Sequence, residues 1–206
     1  GYRVYGCSRS NSDLADRNYI HVGCDVSQER DVRELFARVR ADGVQLYGLI
    51  NNAGVAAMNH ALLTPAAVVE TLIRTNYLGT FLCAREASRL MQSFQCGRIV
   101  NFTSVAVALS LAGEAAYAAS KSAVETLTRV LARELAAYGI TVNAVGPTPV
   151  ATDLIAGVPR EKIESLLQRQ AVRRMGTCDD VSNVVDFFLS RASGMVTGQV
   201  LYLGGV

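Results

Sequence analysis

The chain has little with which to build a metal or disulfide centre. Its five cysteines, Cys7, Cys24, Cys83, Cys96 and Cys178, are an odd number, widely scattered, and no two form a C-x-x-C pair. That dispersal excludes a disulfide frame and a thiolate zinc site, and it reads as reduced, mostly buried thiols of a cytoplasmic protein. Only two histidines occur, His21 and His60, and neither has a partner at ligand spacing. Default strand and loop roles are assigned to them. Charge is sparse and nearly balanced: 18% of residues are charged and the net charge is +2. No strong attraction to nucleic acid or to an anionic membrane follows from such a surface. No uncharged apolar run reaches the ~18 residues that a membrane-spanning helix needs. The longest candidate, residues 99–113, is broken by Asn101, Thr103, Ser104 and Ser110. The opening residues show no secretory-signal pattern. What is present, 206 residues of which half are hydrophobic, suits one domain with a sizeable buried core.

Short β-rich runs alternate with helical stretches. Residues 2–7 (YRVYGC), 19–24 (YIHVGC), 46–51 (LYGLIN), 98–102 (RIVNF), 141–145 (TVNAV) and 199–203 (QVLYL) read as strands. A helix is expected from Ser27 or Gln28 to Arg40, because Val32, Leu35, Phe36 and Val39 follow the i, i+3, i+4, i+7 rule. Further helices are expected over about residues 65–76, continuing as far as 90, and over 115–135, 160–169 and 179–189. Near-continuous apolar strands alternating with helices predict an α/β fold, a doubly wound parallel sheet covered on both faces. Ligands of such sheets bind beyond the carboxyl ends of the strands. Polar residues collect there in succession: Ser8-Arg9, Asp25, Asn51-Asn52, Ser104 and Pro147-Thr148.

The stretch from Ser104 to Lys121 carries a hydroxyl, a phenol (Tyr117) and an amine. Tyr117 and Lys121 are four apart, so on a helix they share one face, one turn apart. An ammonium at that place favours the phenolate and lowers a phenol pKa that starts near ~10. The serine hydroxyl can hold a carbonyl or alcohol oxygen against the phenol. Together they can move a proton on or off an oxygen. A Tyr-x-x-x-Lys pair alone is more often a surface lysine beside a half-buried tyrosine, and a lone serine is more often a turn residue.

Taken in order, N51-N52-A53-G54, Asn76, Ser104 and Tyr117-x-x-x-Lys121 resemble the short-chain dehydrogenase/reductase family over nearly the whole chain. Asp25-Val26, V142-N143-A144 with Pro147 and Thr152, and Leu203-Gly204-Gly205 add to the match. The resemblance implies a single Rossmann-type domain spanning residues 1–206 that transfers hydride between a nicotinamide and a ketone or secondary alcohol. Tyr117 is then the proton donor or acceptor, Lys121 lowers its pKa and holds the nicotinamide ribose, Ser104 orients the substrate oxygen, and Asn76 supports a water-linked relay. Asn52, Ala53 and Gly54 border the cofactor, Asp25 and Val26 sit at the adenine, and Pro147, Val150 and Thr152 lie on the nicotinamide side. The pattern is similar to 3-oxoacyl-carrier-protein reductases, which makes a carbonyl compound or acyl thioester the expected partner, in a homotetramer or homodimer.

NADP(H) is favoured over NAD(H). An acid at the end of the strand before Ser8 would bind the ribose hydroxyls of NAD and repel a 2′-phosphate. Here Ser8 and Arg9 offer phosphate donors instead, although a solvated loop arginine is the plain alternative. The chain departs from the family at its start. No G-x-x-x-G-x-G or G-x-G-x-x-G turn occurs, so the first, central strand and its pyrophosphate-binding turn are expected to precede Tyr2 in a longer protein. A non-catalytic nucleotide-sensing or scaffold protein that retains the fold is the competing expectation. Thr148 also replaces the glycine usual after Pro147, with a side chain that would narrow the nicotinamide pocket.

Overall fold

A computed structural model describes residues 1–206. Six strands form in the expected order: β1 (Val4–Ser8), β2 (Tyr19–Gly23), β3 (Gly48–Asn51), β4 (Gly97–Phe102), β5 (Ile140–Gly146) and β6 (Val200–Tyr202). The helices are α1 (Glu29–Ala41), α2 (Ala66–Leu72), α3 (Gly79–Met91), α4 (Val105–Leu109), α5 (Ala115–Glu134), α6 (Arg160–Leu167) and α7 (Cys178–Leu189). All strand pairings are parallel, and β1 joins β2 by a loop without a helix, as the short connection predicts. The strands form two ladders rather than one sheet. β1 pairs only with β2, while β3, β4, β5 and β6 pair in that order. The Tyr2 ring stacks on the Tyr47 ring at 5.7 Å, so the β1 side of one ladder adjoins the β3 side of the other without hydrogen-bonding to it.

Alternation along the central strands builds a core on each face. Ile99 and Val142 join Val32, Leu35 and Phe36 of α1 and Leu82 and Ala87 of α3, whereas Val100 and Val145 pack on Val185 and Phe188 of α7. Helix α1 forms because its apolar stripe is buried there, and its acidic first turn and basic last turn suit the helix dipole. Gly43 with φ +67 then turns the chain towards β3. The helix expected over residues 65–90 is interrupted. A π-helical turn, Ile73–Leu78, separates α2 from α3 and places Asn76 at the bulge. Helix α4 was not expected. It is only five residues long and is capped by Ser104, whose hydroxyl accepts the Ala106 N–H at 3.2 Å.

Candidate active site

The carboxyl ends of β3, β4 and β5 open onto a cavity of about 890 Å³ lined by Asn52, Gly54, Ser104, Tyr117, Lys121, Pro147, Thr148, Val150 and Thr152. Its other walls are largely apolar and come from residues 55–58 and from the segment between β5 and α6. Helix α5 runs unbroken for 20 residues, so Tyr117 and Lys121 do lie one turn apart on its inner side. Both are buried, at 8% and 5% exposure. Ser104 follows β4 and lines the same cavity, and its hydroxyl is near enough to the phenol to lower the Tyr117 pKa.

The electrostatics differ from the simple sequence argument. Burial raises the Tyr117 pKa and the Glu114 carboxylate adds to the rise, while the nearby Ser104 hydroxyl opposes it. Lys121 is not what sets the phenol. Its own pKa is pushed down to about 8 by burial, and its ammonium donates to the Phe102 carbonyl at 2.9 Å. Burial thus penalises the phenolate, and Tyr117 keeps its proton at neutral pH. Lys121 has three donors and uses one, leaving two for the cavity.

Asn76 is wholly buried and lies behind this wall. Its amide donates to the Val55 carbonyl at 2.9 Å and to the Ser120 hydroxyl at 2.9 Å, and its Oδ1 accepts the Val55 N–H at 2.8 Å. Gly54 fits between: a Cβ there would lie 3.2 Å from Asn76 Oδ1 and 3.3 Å from Lys121 Nζ. A side chain would therefore crowd both groups. Beneath the site, register partners Asn51 and Asn101 bond through their amides at 2.9 Å, and Asn101 donates to Thr128 at 2.9 Å. Sequence reasoning gave no role to Asn101, Thr128 or Ser120. The position of Ser120 next to Lys121, and of Asn101 near the end of β4, were the available signals.

The structure does not bring every named residue to the cavity. Ser8, Arg9, Asp25, Val26 and Ala53 lie outside its lining. Ser8 is exposed and donates to the Ser10 carbonyl at 2.7 Å, and Arg9 is exposed without an ion-pair partner. Asp25 accepts the Ser27 N–H at 2.9 Å in a local turn. The Val26 side chain belongs to the core, where Gly79 makes room for it, so only its backbone is available to a ligand. His21 bonds within the β1–β2 edge and His60 accepts the Leu62 N–H, consistent with structural roles for both. Thr148 is one of the lining residues. It is held from behind by Gln170 through a side-chain hydrogen bond.

A protonated, buried phenol that shares a cavity wall with a serine hydroxyl and an ammonium is equipment for oxygen protonation, and known proteins agree with that class. A family model described as enoyl-(acyl carrier protein) reductase matches residues 8–205. The chain is 34% identical over 205 residues to the chloroplastic NADPH-dependent aldehyde reductase 2 of Arabidopsis thaliana, covering 97% of this chain and 75% of that one. It is 31% identical over 184 residues to a 3-oxoacyl-(acyl-carrier-protein) reductase of Staphylococcus epidermidis, covering 89% and 75%. The solved structure of ElxO with NADP bound superposes with a TM-score of 0.89 at 28% identity, covering 98% of this chain and 87% of that one. The chain belongs to the short-chain dehydrogenase/reductase family, whose members are oxidoreductases of CH–OH and C=O groups.

Proposed function

We propose that the protein is an NADP(H)-dependent reductase of ketones, working on secondary alcohols in reverse, with 3-oxoacyl thioesters within its substrate range. The observation that carries this reading is that the Tyr117 phenol and the Ser104 hydroxyl share the wall of the 890 Å³ cavity with Lys121, the hydroxyl near enough to favour the phenolate. Tyr117 gives its proton to the substrate oxygen, a direction that suits a phenol still protonated at neutral pH. Ser104 donates to the same oxygen and fixes the carbonyl plane. NADP(H), when bound, supplies the hydride. The two free donors of Lys121 fit ribose hydroxyls, and an ammonium there stabilises the phenolate left after proton transfer. Asn76 holds residues 54–55 in place, and the second lone pair of its Oδ1 is the position from which it supports a water relay towards Lys121.

Residues fit to hold the cofactor are Asn52, Gly54, Pro147, Val150 and Thr152 at the cavity, with Ala53 between Asn52 and Gly54 outside the lining and Asp25 and the Val26 backbone at the adenine. Ser8 and the unpaired Arg9 suit a 2′-phosphate. The NADPH dependence named for the Arabidopsis relative and the NADP bound by ElxO support that preference. No helix is long and apolar enough to cross a membrane. The scattered cysteines without a C-x-x-C pair support a cytoplasmic location in this reading. A homotetramer or homodimer is proposed through α5 and β6, where Val130 and Leu201 are 46% and 36% exposed. A screen of ketones and acyl thioesters, followed by NADPH absorbance, tests the function. NADPH binding with no turnover of any carbonyl compound would favour the scaffold alternative.

A further inference from the structure

Two charged side chains at the mouth of the cavity have no part in the chemistry above. Glu114 immediately precedes α5 and Lys162 lies on α6, and both line the cavity among apolar neighbours such as Leu111, Leu154 and Val158. Lys162 has no carboxylate within ion-pair reach. Its Nζ lies 3.1 Å from Sδ of Met58, a weak acceptor. Met58 in turn covers the turn before α5: a Cβ on Gly113 would sit 3.6 Å from its Cγ, and the Asn59 N–H donates to the Gly113 carbonyl at 2.8 Å. The ammonium therefore rests on Met58, and Met58 on the residue next to Glu114. The Glu114 carboxylate makes no side-chain hydrogen bond. Burial raises its pKa and Lys162 opposes the rise, so the two charges feel one another without touching.

We propose that Glu114 and Lys162 determine substrate choice by pairing across the mouth over a neutral, apolar carbonyl compound. The proposal rests on the reductase reading of the Tyr117 site. The half-buried Glu114 carboxylate is costly to leave unpaired in an apolar wall, and the exposed Lys162 ammonium, which has no carboxylate of its own, is the cation whose field already reaches it. A substrate with its own carboxylate at that depth must take Lys162 away from Glu114 and strand the latter. The apolar segment between β5 and α6 then encloses a chain without charge, and α6 is held over it. Pairing also draws the Glu114 field away from Tyr117, whose proton transfer that field opposes.

The test compares 2-octanone with 7-oxooctanoate, two methyl ketones of equal chain length, in the wild type, Glu114→Gln, Lys162→Met and the exchanged double variant Glu114→Lys/Lys162→Glu. Hydrogen exchange over residues 153–167 is read in the same proteins. The wild type is expected to favour 2-octanone in kcat/KM by about tenfold, and Glu114→Gln to reduce that preference by raising turnover of the keto acid. Lys162→Met should raise KM for 2-octanone and speed exchange of α6, each about two- to fivefold, and the exchanged variant should restore both. Additive single effects with no restoration by the exchanged pair would overturn the proposal. Coupled exchange in a protein that turns over neither ketone would uphold the pairing and count against the reductase reading instead.

Discussion

Val55 and Asn76 grip each other through both polar ends of one amide. The Val55 N–H reaches Oδ1 at 2.8 Å and the Asn76 Nδ2 reaches the Val55 carbonyl at 2.9 Å. The remaining Nδ2 hydrogen goes to Ser120, the neighbour of Lys121 on α5. One buried side chain thus ties the loop after β3, the π-helical turn and the helix that carries Tyr117. The bulge is what turns Asn76 inward at the right height, since an uninterrupted α-helix would present that position differently.

Replacing Asn76 by leucine leaves the partly buried Val55 N–H and carbonyl without their partners. The expected loss is about 2–4 kcal/mol, from two unsatisfied backbone groups. Urea unfolding measures it, and a loss below about 0.5 kcal/mol would show that residues 54–55 are held by something else.

Lys121 gives a pH signature. Its folded pKa, about 8, lies below its ordinary 10.5, so between those values the unfolded chain holds a proton that the folded chain does not. Stability contributed by this group therefore rises with pH across that window, and below about 8 the full cost of the buried ammonium is present. Lys121→Met removes the dependence. The stability of the wild type relative to the variant should increase between pH 8 and 10.5 by a figure on the order of 3 kcal/mol. Parallel stability curves for the two proteins would contradict the burial of a charged lysine.

Arg9 is exposed and free of carboxylates, which leaves its guanidinium available to a phosphate. Arg9→Asp should shift the ratio of kcat/KM values from NADPH towards NADH by about tenfold or more, since a favourable charge pair becomes a repulsive one. An unchanged ratio would assign cofactor choice to other residues.

Much of the fold was legible because burial leaves plain marks. The strands around Ile99–Val100 and Val142–Val145 are apolar on both faces, and the stripe of Val32, Leu35, Phe36 and Val39 has the helical period. The order of Ser104, Tyr117 and Lys121 was also legible, because a helix fixes their spacing. The π-helical turn was not, since Ile73 to Leu78 has no composition that separates it from α-helix. Nor was the chain from Asn51 to Asn101 to Thr128. Its members are ordinary polar residues until the parallel register sets β3 beside β4. The direction of the Tyr117 shift was missed for a related reason: burial is a property of the packed cavity, not of a four-residue spacing.

The most direct test of the central claim is steady-state reduction of a ketone by Tyr117→Phe, with NADPH binding measured by fluorescence in the same preparation. The ring is buried beside Leu72 and Ala106 and loses only its hydroxyl, so folding and NADPH affinity should stay within about twofold of the wild type. Turnover should fall by at least about 10²–10⁴-fold, the range that general acid catalysis contributes. Turnover within a few-fold of the wild type, with binding intact, would remove the Tyr117 proton from the reaction and the proposed mechanism with it.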